Sequence, residues 1–541
     1  MSDKTVATEV ITTLRDLGVK HVFGVPSGGW VDYMEALRTT EGIDFVLATH
    51  EGGAAFMADV CGRLTGTPGV CFGTFGPGAT NLATGVGSAL LDRSPMIAFS
   101  DEMAEPMRGR TTQMGIDHQA LFAPVTKQTT RLTAEDARDI VLDAASTALS
   151  ERPGPVHIGL PVGMGAETAG SSDSTLPVTA SEPPAAQDIL ERAAALLEAT
   201  NKPLFVLGLG AVRAGVSEAV IAIAEQLQAP IVLTPMAKGV LSEEHPLYVG
   251  VLFHALSDTV ALTYSQADLV IAIGYDAIEF NYEQWMPNVP LLNMDTQPVD
   301  IDAQYCPQVV DAVGNIAHSV SYLAGLPLAS RNWDISSLGE RRREMFARMM
   351  PVSDQFGPCG ALEVLREEFP EEGIMTCDVG AHIHLIGQKW PTPAPGKQIM
   401  TNGWSAMGFG IPSAIAAKLC KPDLPVCSVV GDGGFLMTAG ELAVAVRENL
   451  DIVFVVFTDN DLALIRIKQE KKDNPVYGTP IRKRGTIGGD NIFGVPVLKA
   501  HDSKEYRTAL QKAMQMSGPV IVEAILDSSE YDELVLRKNK I

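Results

Sequence analysis

The sequence predicts an α/β protein of three doubly wound domains, each a mostly parallel sheet with helices on both faces. Three observations carry this. Short apolar runs ending in Gly or Pro alternate with longer amphipathic runs along almost the whole chain, the pattern of strands covered on both sides by helices. Two stretches interrupt that alternation. Dividing the 541 residues there leaves blocks of roughly 150 to 200 residues, an ordinary domain size.

In chain order, Phe45–Thr49, Val70–Thr74 and Pro95–Ser100 read as buried strands, and Thr80–Leu91 and Ala134–Leu149 as helices. Gly165–Asp188, rich in Ser, Thr, Ala, Pro and Glu and without periodicity, reads as a linker. In the middle block, Phe205–Gly215 reads as a strand followed by a glycine-rich turn. Such a turn can cradle a nucleotide phosphate or simply allow tight strand-to-helix packing; its spacing is not the dinucleotide fingerprint. The pattern breaks again, and turns basic, around Ser330–Arg343. The expected limits are 1–170, 186–328 and 345–541.

Composition narrows the function. The net charge of −24 disfavours binding to nucleic acid, whose phosphates it would repel. An anionic cofactor would need a metal ion or helix-end amides to offset that charge. Seven scattered cysteines with no CxxC pair fit a reducing cytosol better than a disulfide framework. The opening residues do not read as a signal peptide, and no apolar run reaches the roughly 18 residues of a membrane helix. The expectation is a cytoplasmic protein without a membrane partner.

The most specific motif begins at Val426. Val426–Val430 reads as a buried strand, Gly431-Asp432-Gly433-Gly434 follows, and Phe435–Asn449 reads as an amphipathic helix. A second strand, Ile452–Phe457, ends in Thr458-Asp459-Asn460-Asp461. In an open parallel sheet, ligands sit beyond the carboxyl ends of the strands. Asp432 and Asp459 would therefore project at one sheet edge. Two carboxylates and a backbone carbonyl make a hard oxygen site for Mg²⁺, which keeps positions open for phosphate oxygens. Gly433 and Gly434 let the backbone approach a diphosphate.

This Gly-Asp-Gly with its distal acidic ligand resembles the signature of thiamine diphosphate enzymes, most closely the acetohydroxyacid synthase and 2-oxo acid decarboxylase group, over nearly the whole chain. The resemblance implies thiamine diphosphate and Mg²⁺, with Asp432, Asp459 and the main-chain carbonyl of Asp461 as metal ligands. The second ligand is more often Asn, although Asp also occurs in flavin-free members. Glu51, in His50-Glu51-Gly52-Gly53, matches the glutamate that bonds the cofactor's aminopyrimidine and favours the imino tautomer that deprotonates C2.

Other segments extend the likeness. Pro26 lies in the first-strand turn, and Asn81 closes the glycine-rich turn Phe75–Asn81. Gln113 is similar to a glutamine that reaches reaction intermediates; the nearby His118 reads equally well as structural. Ala381 and His382 follow a loop resembling a diphosphate contact. Met407 matches the wedge that bends the cofactor, and the carbonyl of Ser405 matches the acceptor for its amino group, where the family usually has Gly. Leu464 and Ile465 fall in the cofactor- and substrate-facing segment. Lys468 stands where a tryptophan selects the second substrate in biosynthetic members; it could pair with an anionic substrate group or sit on a solvated basic helix face. The stretch Ile271–Phe280 lacks the Arg-Phe-Asp of biosynthetic members, which argues against bound FAD.

The resemblance implies a homodimer or homotetramer with sites at the subunit interface, acting on a 2-oxo acid. Pyruvate decarboxylation with carboligation to acetolactate is the first expectation. A simple decarboxylase, a 2-hydroxyketone or acyl-CoA lyase and a sulfoacetaldehyde-type acetyltransferase share the cofactor. A non-catalytic cofactor-binding relative and a flavin oxidase are the readings from other classes.

Overall fold

The computed structural model describes residues 4–176, 181–351, 355–482 and 485–535. The first residues of the chain and residues 177–180 of the expected linker lie outside them. Three sheets carry the fold. The first has the order Asp44–Leu47, His21–Gly24, Gly69–Gly73, Met96–Glu102, Pro155–Pro161, Gln128–Arg131, all parallel. The second, also all parallel, runs Val309–Val313, Leu291–Asp295, Leu269–Ile273, Pro203–Leu207, Ile231–Leu233, Tyr248–Val251. The third runs Gln398–Ile399, Ile374–Cys377, Val426–Gly431, Ile452–Thr458, Val520–Ile525, Val495–Ala500, Asn491–Ile492. Only its last pair is antiparallel. The α/β fold with three mostly parallel sheets is thus the one expected from the alternation of apolar and amphipathic runs.

The central strands are buried end to end because helices cover both faces of each sheet; Met96–Glu102 and Ile452–Thr458 have no exposed residue. The strand and helix boundaries shift from expectation by a few residues. The predicted strands become Asp44–Leu47, Gly69–Gly73 and Met96–Glu102, and the helices begin at Pro77 and Ala137.

Two expectations need correction. The predicted break at Ser330–Arg343 contains most of a helix, Ile335–Arg348. Asp334 caps it by accepting the Ser337 amide, and its basic residues have work on the neighbouring block: Arg341 donates to the carbonyl of Leu262 and Arg342 to that of His245. Basic composition here marks a helix that binds carbonyls, not an open linker. The predicted helix Phe435–Asn449 is broken into Asp432–Thr438, a 3₁₀ turn at Ala439–Glu441, and Leu442–Arg447. The break lies where the first block docks: Glu441 accepts the amides of Thr49 (3.2 Å) and His50 (3.0 Å).

The first and third blocks share one apolar core, in which Ala54, Phe56 and Val60 join Phe409, Ile411 and Ile415. Arg63 fastens its edge. It is held by Asp59 and Asp92 and donates to the carbonyl of Met400 at 2.7 Å. Asp92 in turn accepts the amides of Asn402 and Gly403. A second apolar core joins the central block to the other face of the third.

Candidate active site

Every candidate residue of the third block follows the carboxyl end of a strand in the third sheet, or lies in the helix after such a loop. That shared edge is why distant segments meet. One cavity of about 150 Å³ is lined by Ala381, His382, Met407, Asp432, Gly433, Gly434, Asp459, Asp461, Leu464 and Ile465. Phe457, Leu462, Leu526 and Tyr531 complete much of its apolar wall.

Asp432 is buried and accepts the amide of Asn460 at 2.9 Å. Asp459 accepts the amide of Asp461 at 3.2 Å. Asn460 turns the chain between them in the left-handed region, φ 62°, a conformation that Asn tolerates. Burial pushes the Asp432 carboxyl up to about 6. Burial and then the Asp432 charge push Asp459 up to about 7. Two carboxylates that resist ionising side by side are what a divalent cation would relieve.

Among the described residues, no hydrogen bond is made to the carbonyl of Asp461, while the flanking Asn460 carbonyl is taken by the Ile481 amide. Nor do three His, Cys, Asp or Glu side chains gather into a metal cluster. The ends of the two neighbouring strands together offer two carboxylates and one carbonyl. That set suits Mg²⁺, which uses few protein ligands and fills its octahedron with water and phosphate.

Asp378 organises the surroundings. Its fully buried carboxylate accepts the amide of Gly408 at 2.8 Å and lies 3.1 Å from His382 Nε2. It also sits against Gly434, where a Cβ would collide with it. One side chain thus positions the wedge loop, the His382 turn and the glycine pair. Sequence reasoning placed Asp378 in the right loop but missed this role. A buried Asp just after a strand was the only signal available. Beside it, a Cβ at Gly433 would lie 3.1 Å from Met407 Cε, so the glycine leaves the floor open under Met407. Ser405 lies on the same loop but does not line the cavity. Its φ of 54° is the left-handed region that favours glycine.

The first-block candidates gather separately, again at strand ends. The helix Glu51–Thr65 begins at Glu51 because His50 caps it, Nδ1 accepting the Gly52 amide at 3.0 Å. Glu51 is buried, and Asn81 Nδ2 donates to its Oε2 at 2.9 Å. His118 Nε2 accepts the Gly76 amide at 3.1 Å, and burial lowers its proton affinity. It therefore holds the strained turn at Gly76, φ 45°, which favours the structural alternative. Gln113 and Pro26 are exposed on loops of this edge. Asp101, missed in the sequence, bonds Ser27 beside Pro26 and Thr74. None of Pro26, Glu51, Asn81 or Gln113 lines the Asp432 cavity of its own chain.

Two looser expectations are also placed. Lys468 is exposed on the helix Ala463–Glu470 and does not line the cavity. The glycine turn of the middle block serves close packing: a Cβ at Gly210 would stand 2.7 Å from Gly274 Cα. Beside it, Asp276 is paired with Arg93 and Arg152.

Comparison with known proteins agrees with this geometry. Residues 4–121 match the family model for the N-terminal TPP binding domain of thiamine pyrophosphate enzymes, 190–323 the central domain, and 378–524 the C-terminal TPP binding domain. The chain is 30% identical to an acetolactate synthase of Bacillus subtilis, over 98% of this chain and 94% of that protein. It is 29% identical to the large subunit of acetolactate synthase isozyme 1 of Escherichia coli, over 97% and 94%. It is 30% identical to a probable 2-ketoarginine decarboxylase of Pseudomonas aeruginosa, over 96% and 93%.

The chain belongs to the thiamine pyrophosphate enzymes. More narrowly, it is a thiamine diphosphate-dependent carboligase or decarboxylase of the acetolactate synthase-like kind. No helix among the described residues is long and apolar enough to cross a membrane.

Proposed function

We propose that this enzyme decarboxylates pyruvate and joins the resulting two-carbon unit to a second pyruvate, giving acetolactate, with Mg²⁺ as the metal. The observation that carries the cofactor half of this reading is the pair of buried Asp432 and half-buried Asp459 beside an unengaged Asp461 carbonyl and two glycines, in one cavity. Full-length likeness to acetolactate synthases supports the reaction. The small, apolar wall of Leu464, Ile465, Leu526 and Tyr531 suits a short uncharged donor chain.

In this reading, Asp432, Asp459 and the Asp461 carbonyl would hold Mg²⁺, and the amides of Gly433 and Gly434 would be available to the diphosphate. Ala381 and His382 flank it, and Asp378 fixes the loop that presents Met407 and the Ser405 carbonyl. Bound thiamine diphosphate supplies the electron sink for loss of CO₂. Glu51 exchanges a proton with the pyrimidine ring and is oriented for it by Asn81. Gln113 orients the acceptor from the same edge. The cavity walls exclude water from the reacting carbon.

Because Glu51 does not line the Asp432 cavity of its own chain, the proposal includes a homodimer or homotetramer. A second copy's first block then completes each site. The limits 1–170, 186–328 and 345–541 are proposed as its pyrimidine-binding, central and diphosphate-binding domains. The proposal includes no flavin, because Ile271–Phe280 lacks the Arg-Phe-Asp stretch of biosynthetic members. A cytoplasmic setting is part of the same reading.

The likeness to a probable 2-ketoarginine decarboxylase favours one alternative, simple decarboxylation of a longer 2-oxo acid. CO₂ release from pyruvate with thiamine diphosphate and Mg²⁺, with NMR of the products, separates the two. Acetolactate or acetoin supports the carboligase. Acetaldehyde alone points to a decarboxylase, and absent turnover rejects pyruvate as substrate.

A further inference from the structure

All seven cysteines are free, and six of them are buried; Cys420 is the partly exposed one. Cys420 ends the helix Gly410–Cys420 of the third block. Cys61 lies in the last turns of the helix Glu51–Thr65 of the first block. These two helices pack against each other, and at their ends the sulfurs stand 2.7 Å apart although the residues are 359 positions apart in sequence. An open pocket reaches both thiols, and Lys20 and Lys421 line it beside them. Disulfide bonding requires the sulfurs to close to about 2.05 Å, a short movement from this position.

We propose that Cys420 and Cys61 form a hydroperoxide-reactive thiol pair that closes into a disulfide between the first and third blocks of one chain. The geometry assigns the roles: Cys420 is the partly exposed thiol, with Lys421 next to it in the chain, whereas Cys61 is buried. The hydrogen bond with Cys61, followed by the charges of Lys421 and Lys20, lowers the Cys420 thiol against the opposing effect of burial. The same hydrogen bond and burial push the Cys61 thiol up. Cys420 is the nucleophile and Cys61 the resolving thiol.

The Cys420 thiolate attacks the terminal oxygen of a hydroperoxide. An S–O bond forms, the O–O bond breaks, and the alkoxide leaves and takes a proton from water. Cys61 sulfur then attacks the sulfenic sulfur. The S–S bond forms, and the hydroxyl departs with the Cys61 proton as water. Two thiols are oxidised, and one hydroperoxide is reduced to alcohol and water.

The pair stands at the far end of its helices from the chemistry: Cys61 is roughly 15 Å along the helix from Glu51. The reaction therefore does not depend on an occupied active site or on which 2-oxo acid the enzyme takes.

The test treats the holoenzyme with limiting hydrogen peroxide, alkylates it, and maps peptides without reduction. The expected product is a linked Cys61–Cys420 peptide, lighter by two hydrogens, formed while the other five cysteines stay alkylatable and reversed by dithiothreitol. In Cys61→Ser, dimedone should trap a sulfenic acid at Cys420; in Cys420→Ser, Cys61 should react no faster than the remaining thiols. A wild-type map in which Cys420 goes to sulfinic acid without the linked peptide overturns the proposal. So does one in which Cys420 stays reduced while other cysteines oxidise.

Discussion

The carboxylate of Asp378 occupies the space that a side chain at residue 434 would need. Gly434 is therefore fixed by a neighbour 56 positions away in the chain, and not by its own backbone, which is helical. Gly434→Ala should push Asp378 off the Gly408 amide and cost about 1–3 kcal/mol, as overpacking of a dense site does. Thermal unfolding and thiamine diphosphate titration together check this. Cofactor affinity unchanged in Gly434→Ala would mean that Asp378 does not position the loop.

Glu51→Gln removes the exchangeable proton and keeps the shape, and Asn81 can still donate to the amide oxygen. Deuterium exchange at C2 of bound thiamine diphosphate should slow by about 10²- to 10⁴-fold, the range for a lost general acid–base. Cofactor affinity should change little. NMR of quenched samples reads the rate, and wild-type exchange would remove Glu51 from the mechanism.

The paired carboxyls give a pH dependence with a definite sign. Asp432 and Asp459 titrate near 6 and 7 in the folded metal-free chain, against about 3.9 when unfolded. Between these values the folded state binds more protons than the unfolded one. Stability of the metal-free protein from these groups is full below about pH 4 and is lost as pH rises through about 7. Mg²⁺ binds the ionised pair and reverses that loss. Its stabilising shift in Tm, with cofactor present, should be larger at about pH 8 than at about pH 6. An equal shift at both would mean that the two carboxyls are not the ligands.

Ser405 holds a left-handed backbone that costs a non-glycine residue roughly 1–2 kcal/mol. Ser405→Gly relieves this, but it adds about 0.5–1 kcal/mol of unfolded-state entropy and loses the bond from Ser405 Oγ to the Asn402 carbonyl. The stability change should stay within about 1 kcal/mol, with activity retained, because the backbone carbonyl supplies the contact. A large loss of kcat would show that the hydroxyl itself takes part.

The parts of the site legible in the sequence are those that local order encodes. Asp432 and Asp459 each follow a strand of hydrophobic residues, and a parallel sheet sends both strand ends to one edge. His50-Glu51 reads as a helix start because the cap is a neighbour. What stayed hidden depends on segments meeting in space. Nothing in the spacing says that Asp378 touches Gly408 and Gly434, that Glu441 breaks its own helix to bond Thr49 and His50, or that Cys61 meets Cys420. The helix Ile335–Arg348 is not legible as one because two of its arginines, Arg341 and Arg342, bond carbonyls of the middle block, so polarity there does not mean solvent alone.

Arg63 has one more consequence. Its guanidinium ties Asp59 and Asp92 of the first block to the Met400 carbonyl of the third, while the third block also supplies one wall of the core it shares with the middle block. Each sheet pairs only strands of its own block, yet none buries all its apolar surface within that block. Calorimetry should record one cooperative endotherm for the three, because whichever melted first would strip the cover from its neighbour. Three units of architecture here amount to a single unit of folding.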